Sequence, residues 1–303
     1  MIGAVPDAPN APSGWRALPS LAVRTVRDSL EDRIFGLGAE VAFFFLLSFP
    51  PALLTILGLL GYVSQLLGED VGAAMRDQVL AVAGSFLAEE TVTETVRPLV
   101  DRLLAEGRAD VASIGVVLTL WAASRATTRL VEAVAIAYNE QDERSLWRRR
   151  LLSLGLTVGA IVALVLVIPV LVAGPRVLEA LAEPLGLTDV AAATWRVLYW
   201  PVVALLAVGM LGLFYHLAVP LQTRWRRDLP GAFVAVAVWL LGGLTLRLYL
   251  AFAFGSATYG PLAAPIAVLL WMYVTALAVL LGAEVNAEIE KMWPTRPQKK
   301  RDG

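Results

Sequence analysis

Arg125, Arg129 and Glu132 stand at i, i+4 and i+7 in the stretch LTLWAASRATTRLVEAVAIAYNE, Leu118–Glu140. On a helix they share one face. A guanidinium inside so apolar a segment is a ready ligand for an anion, because its planar fork grips phosphate or carboxylate oxygens in pairs. A second such arginine, Arg247, interrupts GGLTLRLYLAF. Arg125, Arg247 and Arg129 are therefore the candidate substrate-binding residues. Glu40, Glu132 and Glu284, with His216 and Asn286, are the groups that could pair with them, gate a passage or carry protons. Catalytic chemistry has little to work with. The chain has one His and no Cys, whereas metal-assisted hydrolysis needs clustered ligands. Metalloprotease, nucleophile-elbow and P-loop patterns are absent as well. No catalytic residue, metal or cofactor is expected, no enzyme activity and no nucleic-acid partner.

What positions these groups depends on the solvent. Hydrophobic residues make up 58% of the 303 and charged residues 17%, with mean hydropathy +0.68. Soluble domains carry more charge than that. Six apolar stretches are long enough to cross a bilayer: Gly36–Val63, Val111–Ala137, Leu151–Gly174, Val197–Val219, Gly231–Phe254 and Gly260–Ala283. The fold class this predicts is an all-α, polytopic membrane protein of six spans.

Basic residues in flanking segments mark the cytoplasmic side. They gather before the first span (Arg16, Arg24, Arg27, Arg33), after the second (Arg144, Arg148, Arg149, Arg150), after the fourth (Arg224, Arg226, Arg227) and in the tail (Lys291, Arg296, Lys299, Lys300, Arg301). The loop 64–110 instead carries four basic residues against nine acidic ones. Both termini are thus expected in the cytoplasm of a bacterial inner membrane. Residues 1–35 read as a disordered start without a cleavable signal peptide, followed by an interfacial amphipathic helix over Gly14–Ile34. Residues 36–290 read as one membrane domain whose outer loop, 64–110, forms short amphipathic helices. Residues 291–303 are a basic tail. Pro50-Pro51 falls midway along the first span and predicts a kink or hinge, with Ser48 placed to satisfy a freed carbonyl.

By helix rise, Glu132 and Arg129 lie at the inner boundary of the second span, whereas Arg125 lies about 9 Å deeper. A charge so deep is expected to face the bundle interior beside a partner, and Glu40, Glu284, His216 and Asn286 are near in depth. Arg247 lies about 10 Å below the outer end of the fifth span. No carboxylate of that membrane half stands ready to pair with it, and Gly242-Gly243 just before it allows close helix approach. Two arginines at different depths suit stepwise movement of an anion, provided that they face one side of the bundle.

AEVAFFFLLSFPPALL (Ala39–Leu54), the second-span stretch quoted above, RWRRDLPGAFVAVAVWLL (Arg224–Leu241) and YGPLAAPIAVLLWMYVTALAVLLGAEVNAEIEK (Tyr259–Lys291) together resemble the YihY/BrkB family of bacterial inner-membrane proteins, members of which have also been labelled ribonuclease BN. The resemblance runs from about Arg33 to Lys291 and implies six spans and a cytoplasmic C-terminus. It carries no agreed catalytic residues. The function expected is a transporter or flippase for an anionic or lipid-like substrate, with the bilayer, an anionic or lipid-linked molecule and a second copy of the chain as partners. The alternative is a non-transporting envelope scaffold acting through its outer loop.

Overall fold

A computed structural model of the chain describes residues 18–67, 73, 76–81, 84, 92–106, 109–138, 145–182, 189–219, 225–253 and 260–294. The expected disordered start, part of the outer loop, the turn at 254–259 and the end of the basic tail lie outside these residues. The described elements are helical: α1 (Leu18–Glu31), α2 (Ile34–Leu67), a π-turn (Val92–Val96), α3 (Arg97–Glu106), α4 (Ala109–Ala137), α5 (Leu146–Ala182), α6 (Asp189–Ala218), a 3-10 turn (Trp225–Arg227), α7 (Leu229–Ala253) and α8 (Gly260–Met292). Among the described residues four segments are long and apolar enough to cross a membrane: Ile34–Gly58, Val197–Ala218, Trp225–Leu250 and Pro265–Met292. The expected second and third spans fall within α4 and α5, which are 29 and 37 residues long. Two boundaries move. The expected loop after Gly174 begins as eight further residues of α5, to Ala182, and α8 runs past Ala283 to Met292, which puts Glu284, Asn286, Glu288 and Lys291 on regular helix.

The helices pack most closely at the end that carries the basic residues, called the basic end below. Ile34 and Val41 of α2, Leu130–Ala137 of α4, Val208 and Tyr215 of α6, Ala232 of α7 and Ala276–Ala287 of α8 form its core. A smaller cluster at the far end joins Leu57 of α2 to Leu80, Val92 and Val100 of the loop helices. Arg76 and Asp101 tie that layer together through a bidentate ion pair, with Nη2 to Oδ2 at 3.0 Å.

α2 runs unbroken through Pro50 and Pro51. Ser48 Oγ donates to the Phe45 carbonyl at 2.7 Å, rather than to the carbonyls of Leu46 and Leu47 that the two prolines leave without an N–H. α2 and α4 meet at Gly115, where a side chain would run into Thr55 and the Pro51 carbonyl.

Between α1 and α2 the chain turns at Arg33, in the left-handed region at φ 55°, and this folds α1 back onto α8. α1 then has an inverted face. Thr25 and Ser29 are buried while Val23, Val26 and Leu30 are exposed, and so are Arg24 and Arg27. A helix that hides its hydroxyls and shows valine and leucine fits a lipid interface, with the apolar stripe in the acyl boundary and the arginines at the headgroups.

Candidate functional site: an apolar groove and its arginine

At the basic end, α2, α4 and α5 are tied by a chain of ions. Arg129 reaches Glu40 at 3.8 Å and Glu132 at 3.0 Å, and Arg149 reaches Glu132 at 3.2 Å. Arg129 and Glu40 are about half exposed, and such pairs are worth about 1 kcal/mol or less. Arg129→Gln is therefore expected to shift the thermal unfolding of detergent-purified protein by no more than that amount.

Arg125 corrects the expectation of an inward charge. α4 buries Ala122, Ala126, Leu130 and Val134, while Ile114, Leu118 and Trp121 are exposed on its other side. Arg125 belongs to that exposed stripe, its guanidinium 5.6 Å from the centre of the Trp121 ring. None of Glu40, Glu284, His216 and Asn286 pairs with it. Glu40 engages Arg129, and His216 Nδ1 lies 3.1 Å from Asp228 Oδ2. The cation rests on an indole face, one turn before Arg129 on the same helix.

Arg247 sits differently. On α7, Leu240 lines the side toward α6 and Gly243 packs under Trp271 of α8. Arg247 follows these residues by seven and by four, so it continues the seam between α6 and α8. It is exposed and forms no ion pair among the described residues. Gly242-Gly243 does bring α7 and α8 together, against Val274 and Trp271. Below Arg247 the α6–α7 side of this seam is a groove of about 440 Å³, lined by Pro201, Leu205 and Val208 of α6 and by Phe233, Val236 and Leu240 of α7. Its lining is apolar throughout. Arg125 and Arg247 are both exposed, and α4 and α7 are separated by α8 and α6. Stepwise anion movement between them would have to cross those two helices. The groove residues carry no sequence signal beyond ordinary apolar helix, which is why composition and spacing missed them.

Asn286 lies at the crossing of α7 and α8. Its Oδ1 accepts from the Gly231 N–H at 2.7 Å and its Nδ2 donates to the Asp228 carbonyl at 3.0 Å, so it caps the start of α7 from a neighbouring helix. Tyr215 Oη donates to the Val279 carbonyl at 2.6 Å beside it. Arg227 closes the same end through Glu290 at 2.7 Å. Asp228, buried beside His216, was not singled out by sequence.

Glu284 faces the opposite way, toward α1. Glu284, Glu288 and Lys291 stand at i, i+4 and i+7 on α8, opposite Asp28 of α1 and Asp32, four residues on in the turn after it. Lys291 Nζ lies 2.6 Å from Asp28 and 2.7 Å from Glu288. Burial works against the Asp28 charge, but hydrogen bonds with Lys291 and Glu288 outweigh it and hold the carboxyl below the usual range. Asp32 is pushed up, first by burial and then by the neighbouring charges of Asp28 and Glu31. Both spacings are legible in the sequence; that they oppose each other is not. Among the described residues no three His, Cys, Asp or Glu side chains converge to hold a metal ion.

The profile of the virulence factor BrkB family matches residues 25–303. The chain belongs to that family. A relative from Bacillus subtilis (strain 168), named putative ribonuclease-like protein YfkH, is 27% identical over 254 residues, covering 84% of this chain and 89% of that protein. A UPF0761 membrane protein of Tolumonas auensis is 25% identical over 272 residues, covering 85% and 81%. No solved structure matches. The resemblance read from the span motifs is thereby confirmed, and the BrkB chain is a helical membrane protein.

Proposed function

We propose that this protein moves an anionic, lipid-like substrate across the bacterial inner membrane, with six spans and the basic end in the cytoplasm. The observation that carries the reading is an apolar groove continued along one helix face by an arginine free of any ion pair among the described residues. Acyl chains fit such a groove between α6 and α7. A phosphate one or two helical turns further, about 10 Å beyond Leu240, meets the Arg247 guanidinium, which binds its oxygens in pairs. No catalytic step enters this reading. With the basic end closed by the α7–α8 crossing and Arg247 beyond Leu240 on the far side of the groove, the substrate headgroup is met from the far leaflet.

The test is made in liposomes carrying nitrobenzoxadiazole-labelled phosphatidylglycerol, with dithionite bleaching only the outer leaflet. Wild-type protein is expected to bleach well beyond half of the label. Arg247→Gln should slow this tenfold or more, as loss of a charge-assisted phosphate contact of about 1.5–3 kcal/mol implies, while Arg125→Gln stays within twofold. Equal effects of the two variants would remove Arg247 from any substrate path. A scaffold reading is favoured by one observation, the loop layer that packs on Leu57 of α2 and is held together by Arg76 and Asp101. It predicts normal function in both arginine variants and loss in Asp101→Ala.

A further inference from the structure

Buried polar atoms without partners gather where α1 lies on α8. Thr25 Oγ1 and Ser29 Oγ come from α1, Asp32 Oδ2 from the turn that follows it, and both carboxyl oxygens of Glu284 from α8. Glu284 is fully buried. An ionised carboxylate without a donor in such a place is among the costliest arrangements a fold can hold. The Asp32 and Glu284 carboxyls both lie buried and unpartnered at this one contact and each acts on the other, so a single proton between them supplies the missing donor.

The charges around them do not balance otherwise. From α1 and the turn after it come Asp28, Asp32 and Glu31, the last already paired with Arg27 at 2.7 Å. From α8 come Glu284, Glu288 and Lys291, whose ammonium is engaged by Asp28 and Glu288. α2 meets this part of α8 with Ile34, Gly38 and Val41, and α4 with Val134, none of them charged. On the α7 side, Asp228 lies against His216 and Glu290 against Arg227. Four carboxyls therefore share one ammonium. No three of them converge as a metal would need.

We propose that Asp32 and Glu284 form a proton-binding site, a carboxyl–carboxylate pair sharing one proton, whose occupancy holds α1 down on α8. The upward push on Asp32 runs the same way: a group favoured as the neutral acid in the fold lends stability that is present at low pH and lost as pH rises through its raised pKa. Asp28 acts in the opposite sense, its ion pair lost as pH falls through a lowered pKa. Docking of α1 thus has an optimum, weakening toward alkali by Asp32 and toward strong acid by Asp28. The site stands on the α1–α8 contact and does not need the lipid-moving function. Under that function it is the place of the coupling ion, and a failed lipid assay with a pH-responsive α1 would discard the function alone.

The chain contains no Cys, so Val26→Cys with Arg226→Cys, both at exposed positions, places two spin labels without background. Distances are measured by pulsed electron paramagnetic resonance in nanodiscs from about pH 5 to pH 9, in sodium chloride and again in choline chloride. One distance is expected at the acid end, with a second, longer one replacing it over about two pH units, the width of a one-proton titration. In the same labelled background Asp32→Asn or Glu284→Gln, neutral at every pH, should keep the short distance throughout. A wild-type distance that ignores pH overturns the proposal, and so does a transition that survives in both variants. A change driven by sodium at constant pH would replace the proton by a metal cation.

Discussion

Gly282→Val is expected to leave little folded protein, and Gly282→Ala to lower stability by about 3 kcal/mol, the upper part of the range for overpacking. A Cβ on Gly282 would lie 2.5 Å from the Gly231 carbonyl oxygen and 2.7 Å from the Ala235 Cβ, and would press on the Tyr215 hydroxyl. At Gly231 a Cβ would run into the Gly282 carbonyl and the Asn286 amide. In each case one obstacle is a backbone carbonyl of the facing helix, which cannot rotate away as a side-chain end can. The gain of about 1 kcal/mol from replacing glycine within a helix is too small to offset this. Gly36 provides the control, since a Cβ there meets nothing within 4 Å and Gly36→Ala should be neutral or slightly stabilising. Monodispersity after heating, followed by fluorescence-detected gel filtration, separates the three. A Gly282→Ala protein as stable as wild type would mean that α7 and α8 do not cross so closely.

Asn286→Leu is expected to cost about 3 kcal/mol. It keeps the volume but leaves the buried Gly231 N–H without its acceptor and takes one of two donors from the Asp228 carbonyl, which keeps the Ala232 N–H, and a buried unpaired group costs about 1–3 kcal/mol. The N–H belongs to the first turn of α7, where no carbonyl of the same helix can serve it. Asn286→Asp retains the acceptor but loses the donor to Asp228, and adds a negative charge next to the Asp228 carboxylate. It should be worse than leucine at neutral pH and recover in part in acid. Thermal unfolding of the two variants at two pH values reads this directly. An aspartate variant as stable as wild type would sink the capping role.

The substitutions with large expected effects sit in the GAEVNAE segment of α8, yet for reasons that spacing alone did not give. Gly282 and Asn286 hold two helices at contact distance, whereas Glu284, between them in sequence, turns toward α1. Alternate residues of one motif serve opposite sides of the same helix because i and i+2 are about 200° apart. A local motif read as one site is therefore two.

The amino-acid sequence by itself determined the solvent of this protein, its all-helical class and the family, because apolar run length, charge placement and span motifs are local in the chain. It also located an amphipathic first helix and the close-packing glycines at 242 and 243. Only the tertiary structure decided which way each charge faces. Arg125 and Arg247 look alike in sequence, each an arginine among leucines and alanines. The angular setting of α4 turns the first away from the core, while the crossing of α6, α7 and α8 turns the second into a seam. Which carboxylate meets which partner likewise depends on the turn at Arg33, which folds α1 back onto α8 and brings Asp32 to Glu284 across some 250 residues of chain. Contacts of that separation are set by the packing of the whole bundle, and no periodicity within one helix encodes them.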